Sequence, residues 1–342
     1  MTSRERVFRA IAHQPTDRMP ADYHALPQVT DRLVEHLGLP DGEALLQLLQ
    51  IDMRRVWFSY DIPHTAPDAE GYVRNFWGAR YHPDRANNAP PFHEDSTVEE
   101  VYAHPWPSAD TLDYRVIAEQ CAHFHDDYVT YGSPWCPFFH EIGWLIGQEN
   151  YLIWMHTRPE LVDAITDCIV SFEIDVTRRF LAACHDKLDI AFFGNDFGTQ
   201  RSLFISPDLF QRFLRRPLKR FYDLAHEYGC KVMQHSCGSV CDIIPWLVED
   251  GVDILNPIQM RANGMDLPSL ARLFRGTITF HGGVDTQHTL PFGTPDDVRE
   301  QVRSYRALTR DTGGYILCSS QDLIDDIPEE NILAMYDEEL RV

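Results

Sequence analysis

The chain has 342 residues, 44% of them hydrophobic, which is ample for a sizeable core, and a formal net charge of −22. That charge argues against a nucleic acid or an anionic membrane surface as partner, since both would be repelled. No apolar run approaches the ~20 residues that span a bilayer, and the charged opening Met1-Thr2-Ser3-Arg4-Glu5-Arg6 lacks an apolar signal segment, so a cytoplasmic protein is expected; the charge says little about a small substrate.

Strands are predicted near residues 19–23, 51–58, 128–132, 188–194, 231–235, 252–256, 277–281 and 314–319, with helical patterns in most of the gaps. The irregular stretch 59–127, with scattered Pro, Asn, His and Trp, reads as an insertion after the second strand. Residues 159–183 place Leu161, Ile165, Cys168, Ile169 and Phe172 at helical spacing. Ser206-Pro207-Asp208 opens the next helix with a capping residue and Pro at the first turn, and Pro217 is expected to kink it. Thr294-Pro295-Asp296-Asp297 opens another, which ends at Gly313-Gly314. Eight strands mostly followed by helices predict a single-domain (β/α)8 (TIM) barrel over residues 1–342. The eight cysteines form no CxxC pair and are expected to be reduced, with Cys168 and Cys184 in the core.

Barrel sites lie at the C-terminal ends of the strands. The polar residues there are His24; Trp135, Cys136 and His140; Asn195 and Asp196; His235 and Cys237; Asn256 and Gln259; His281 and Asp285; and Cys318, Gln321 and Asp322. His235 and Cys237, two apart at a strand end, project to the same side and suit a borderline metal such as zinc, while Gly238 lets the chain turn away. Each residue also has a plainer use. His-x-Cys can be incidental, Asp196 can cap a loop, His281 and Cys318 can be core residues, and Gly282-Gly283 can mark a tight turn.

Six stretches carry a family resemblance. They are Ser3-Arg4-Glu5-Arg6-Val7 with Pro15 to Pro20, Gly194 to Gln200, His235 to Val240, Gly251 to Gln259, His281 to Gln287, and Pro328 to Tyr336. In order and spacing the chain resembles the uroporphyrinogen decarboxylase superfamily, in the branch of cobamide-dependent methyltransferases. The resemblance implies a barrel but does not fix the reaction. True decarboxylases of this kind carry an arginine-rich motif for the acidic side chains of a porphyrinogen. Here Pro20-Ala21-Asp22-Tyr23-His24-Ala25-Leu26 stands in its place without arginine, which argues against that substrate.

The methyltransferase branch implies zinc bound by His-x-Cys and a distant Cys. His235 and Cys237 match the first two positions; the third falls on Gln321, with Cys318 three residues earlier as the substitute. The implied function is a zinc-dependent methyltransferase or demethylase acting on a small thiol or methylated substrate, with the corrinoid on a separate partner protein. No Asp-x-His-x-x-Gly run is present to hold a corrinoid in this chain. In this reading Asp196 and His281 are catalytic, His281 moving a proton. His24, Asn195, Asn256, Gln259 and His140 bind or orient substrate. A homodimer is a further implication. The alternatives are a metal-free lyase or decarboxylase on a small acid, using Asp196 and His281 as acid and base, and a non-catalytic ligand-binding barrel.

Overall fold

A computed structural model describes residues 1–60, 67–82 and 85–337, with the backbone alone for residues 85–89. Seven strands form one parallel sheet: β1 (Met53–Arg55), β5 (Val129–Gly132), β6 (Ile190–Gly194), β7 (Lys231–His235), β8 (Ile254–Asn256), β9 (Thr279–His281) and β10 (Tyr315–Ile316), adjacent in that order. Three more, β2 (Val73–Arg74), β3 (Arg80–His82) and β4 (Arg85–Ala89), make a separate antiparallel sheet. They lie in the stretch 59–127 expected to be an insertion, of which residues 61–66, 83 and 84 fall outside the described residues.

Seven of the eight expected strands are therefore present, most of them shorter than expected. The expected first strand, 19–23, is reduced to a bridge. Ala21 pairs in parallel with Leu317, Asp22 N donates to Leu317 O at 2.9 Å, and Asp52 N donates to Ala21 O at 2.9 Å. Residues 20–22 thus stand between the two edges of the sheet, but Pro20 has no N–H to extend a ladder.

Alternation decides what faces inward. Met53, Val129, Tyr131, Ile190, Phe192, Met233, Ile254 and Ile316 form an inner apolar cluster with Val7 and Ile11 of the helix Ser3–Ile11. That helix, opened by a Thr2/Glu5 capping box, closes the N-terminal end of the sheet. The outward set, including Ala191, Phe193, Val232 and Leu255, packs in the larger cluster shared with the surrounding helices. The long helix is Pro159–Ala183, within which Cys168 is half-buried. Ser206 and Thr294 cap their helices as expected. Pro217 is accommodated by a wider helical turn over Phe210–Leu214 just before it. Among the described residues no helix is long and apolar enough to cross a membrane.

Two buried carboxylates fix the closed end. Asp52, fully buried, accepts from Arg6 Nη1 (2.7 Å), Arg18 Nη1 (2.7 Å) and Ala21 N (3.0 Å), joining the first helix, residues 18–21 and β1. Asp189 takes a bidentate pair from Arg4 at 2.6 and 2.7 Å and the amide of Thr130. Removing a partner from such a group leaves a buried charge uncompensated. Asp52→Ala should lower the unfolding free energy in urea by about 3–5 kcal/mol, whereas Asp163→Ala, which breaks the exposed Arg212–Asp163 pair, should cost less than about 1 kcal/mol.

Candidate metal centre and substrate cavity

The inward register continues past the strand bodies, so the next inward side chains are Arg55 after Met53, His235 after Met233, Asn256 after Ile254, His281 after Thr279 and Cys318 after Ile316. Strand pairing sets His235 beside Asn256. A chain of hydrogen bonds links these ends and starts at Asp22, only 2% exposed. His24 Nε2 and His281 Nε2 lie 2.9 and 3.0 Å from its Oδ2. Burial pushes the Asp22 carboxyl up, but the two imidazoles outweigh it and hold the group well below the usual range.

An anionic Asp22 calls for the Nε2–H form of His281. Burial holds His281 below its ordinary pKa despite Asp22, so the ring is neutral and its Nδ1 is an acceptor. Asn256 Nδ2 donates to that Nδ1 at 2.7 Å. The amide is thereby oriented, and its Oδ1 accepts from His235 Nδ1 at 2.7 Å. Neutral His235 therefore keeps its proton on Nδ1 and presents a lone pair at Nε2.

Around that nitrogen stand Cys237 Sγ at 3.5 Å and Asp196 Oδ1 at 3.3 Å, the three donors lying within 4.8 Å of one another. Burial acts to lower the pKa of His235, but Asp196 and Cys237 outweigh it and raise the value to about 10. The space between the donors thus favours positive charge, whether a proton or a metal cation. Burial opposes ionisation of Asp196 as well, yet His235, the Cys237 amide and His140 hold it well below the usual range.

The loops that carry these donors touch. Asp196 Oδ1 accepts from Cys237 N at 2.8 Å, and Asp196 N donates to His140 Nε2 at 2.9 Å. Gly238 turns with φ +82°, and a Cβ there would stand 2.3 Å from the carbonyl carbon of Gly198. No larger residue permits this crossing. Gln259 Oε1 braces the turn by accepting from Gly238 N at 2.6 Å.

The donors open on a cavity of about 620 Å³, walled by Arg55, Trp57, Trp135, His140, Trp144 and Phe192 among others. Of the residues expected to bind substrate, His24, His140 and Asn256 line it, although Asn256 spends its amide on the two histidines. Three further candidates are held by neighbouring groups. Asn195 is buried behind the cavity wall, accepting from Phe139 N (3.0 Å) and donating to Cys136 O (3.2 Å). Gln259 is occupied by the Gly238 turn and Gln287. His281 is fully buried with both ring nitrogens engaged, so it positions Asn256 rather than exchanging a proton with substrate.

The two expected third ligands separate. Gln321 Nε2 lies 2.9 Å from Cys237 Sγ. Cys318 is buried in a second group with His24 and His281, its thiol pushed up by burial. There the His281 Nε2 proton faces Asp22, which makes that group a hydrogen-bonded core. Cys136 is buried against Thr177 Oγ1 at 3.2 Å, away from the cavity. Asp285 is buried and meets Arg261 at 3.2 Å.

Residues 129–339 match the family described as uroporphyrinogen decarboxylase (URO-D). The chain belongs to the URO-D family. Within it the likeness runs to methyltransferases. The methylated-thiol–coenzyme M methyltransferase of Methanosarcina mazei is 24% identical over 166 residues, which are 47% of this chain and 40% of that protein. The chain thus aligns with less than half the length of that relative. A solved methyltransferase structure from Methanosarcina mazei superposes with a TM-score of 0.67 at 16% identity, covering 99% of each chain, and so shares the fold.

Two contributors to this URO-D site were not singled out from sequence. Asp22 stands two before His24, the same strand-end spacing that drew notice to His235 and Cys237. Arg55 is the last residue of β1.

The buried core carries a pH signature. In the unfolded chain His281 titrates near ~6.5 and Asp22 near ~3.9, and folding lowers both. Depressed groups contribute stability that is complete above their unfolded values and lost on acidification, up to about 1.4 kcal/mol per pH unit for each proton. The unfolding free energy should fall as pH drops below about 6.5, the ordinary histidine value. In His281→Gln, urea titrations should show a shallower fall. Some slope should remain, because burial also lowers His13 and His140.

Proposed function

We propose that this URO-D family protein is a zinc-dependent methyltransferase that passes a methyl group between a small substrate and a corrinoid carried by a separate protein. The observation that carries the reading is the convergence on His235 Nε2. A nitrogen, a sulfur and a carboxylate oxygen lie within 4.8 Å of one another at the mouth of the sheet, and the hydrogen bond from Nδ1 to Asn256 frees Nε2 for a metal.

The donor set fits zinc, which takes N, S and O ligands in a catalytic site with one position open. His235 and Cys237 would hold it, with Asp196 as the third donor in place of Cys318, and Gln321 beside the sulfur. Bound there, zinc would lower the pKa of a substrate thiol or polarise a methyl ether oxygen. The chain's own residues do the rest. Asn256 fixes the His235 tautomer, His140 and the Cys237 amide fix Asp196, and the aromatic walls exclude water around the reacting atoms. We read the sheet as a barrel completed by residues 20–22, since Asp22 enters the site from there.

The cavity volume of about 620 Å³ suits a small ligand, so the corrinoid would approach from outside. Arg55 is the one guanidinium or ammonium group lining it among the described residues, which speaks against a substrate with many carboxylates. The acid–base alternative through Asp196 and His281 is disfavoured by the burial of His281.

Purified protein should bind one equivalent of zinc, and His235→Ala or Cys237→Ser should lose both the metal and methyl transfer to or from a corrinoid protein. Full activity in rigorously zinc-free protein would overturn the reading. Asn256→Leu, which removes the group that orients His235 without removing a ligand, should weaken zinc binding by about 10–100-fold, measured by competition with a chromophoric chelator.

A further inference from the structure

The guanidinium of Arg55 has no hydrogen bond or ion pair among the described residues, although the residue is half-buried in the wall of the cavity. A guanidinium in that position ordinarily meets a carboxylate. Here it meets rings. Its central carbon lies 3.8 Å from the ring centre of Trp57, 5.3 Å from that of Phe192 and 5.7 Å from that of Trp135. Cation–π contact supports the charge through the face of the group but leaves the in-plane N–H donors unused. Three carboxylates line the cavity with it, Asp196, Glu141 and Asp322, and none of them forms an ion pair with Arg55. Asp196 is engaged by the Cys237 amide and His235, and Glu141 accepts from Trp77 Nε1.

The same rings connect Arg55 to the metal centre. The Trp135 ring centre lies 5.0 Å from that of His235, and the Phe192 ring centre 6.2 Å from it. Trp135 is seated there because residue 194 is Gly: a Cβ on Gly194 would fall 2.0 Å from the indole. Cation and imidazole therefore contact the same two rings and line the same cavity. In a chain carrying a formal net charge of −22, an inward cation without an ion pair among the described residues also offers an anion a local attraction that the rest of the molecule opposes.

We propose that the substrate is a planar aromatic anion whose carboxylate is held by the Arg55 fork and whose ring lies along Trp135 and Phe192, with its methylated substituent toward His235. The orientation of the methylated end rests on the methyltransfer reading; the carboxylate and ring contacts do not. Arg55 is a specificity-determining residue in this scheme, since a bidentate pair forms only with a planar acid group.

The test is calorimetric titration of the purified protein with four probes: 3-methoxybenzoate, benzoate, neutral methoxybenzene and the non-aromatic cyclohexanecarboxylate. The two aromatic acids should bind at least tenfold more tightly than either of the others. Arg55→Gln should remove that advantage while leaving methoxybenzene binding within about threefold, and Arg55→Lys should retain part of it, because a point charge replaces the fork. Equal binding of 3-methoxybenzoate and methoxybenzene, equal binding of benzoate and cyclohexanecarboxylate, no binding of any probe, or unaltered acid binding in a folded Arg55→Gln protein would each overturn the proposal. Aromatic acids that bind through Arg55 but are never demethylated would refute the methyltransfer reading and leave this one standing. Methyl transfer from a neutral or aliphatic substrate, indifferent to Arg55, would do the reverse.

Discussion

The metal-ready state of His235 depends on a carboxylate that never reaches the cavity. Asp22 is buried between His24 and His281, and its charge decides which nitrogen of His281 carries the proton. That choice passes through the Asn256 amide to His235, because an amide offers a donor on one side and an acceptor on the other. If the amide turned over, His281 would aim a lone pair at an anion and His235 would hide its own in the interior. The three polar groups therefore have one satisfactory arrangement, and it leaves Nε2 open beside sulfur and carboxylate.

That arrangement needs rigid supports, and the fold supplies them at both ends. At the closed end, Asp52 and Asp189 gather arginines from the first helix and bind it to β1, β5 and β6. At the open end, the loops after β6 and β7 cross at Gly198 and Gly238 with backbone almost against backbone. Asp196 and Cys237 owe their proximity to that crossing. In between, the inward positions of the strands are apolar, Thr279 apart, until the last turn of the register, where they become Arg55, His235, Asn256 and His281. The inner core and the site are successive layers of one pattern.

The aromatic content of the cavity follows from the same layering. Phe192 continues the inner core upward, and Trp135 fills the space that Gly194 leaves. Rings at this level can carry a cation without neutralising it. Arg55, which has no ion pair among the described residues, thereby keeps its charge at the cavity wall, on the same rings that pack against His235.

Much of this was legible in the amino-acid sequence. Strand positions, helix caps at Ser206 and Thr294, and the pairing of His235 with Cys237 follow from local rules: the two-residue period of a strand and the geometry of a first helical turn. The strand ends also drew attention to His140, Asp196 and Asn256 before their partners were known. Neighbours from distant strands were not legible, because nothing local encodes which strand ends meet. His281 and Asp22 are 259 residues apart in the chain, and only the tertiary fold brings the Asn195 amide to backbone groups and the Gln259 amide to Gly238 N and the Gln287 side chain. The separation of Cys318 from Cys237 has the same cause. Cys318, two residues past the inward Ile316, remains in the buried layer with His24 and His281, whereas Cys237, four residues past the inward Met233, lies in the loop beyond β7. Spacing along a strand determines which side a side chain leaves from; only the packing of strands against one another decides what it meets.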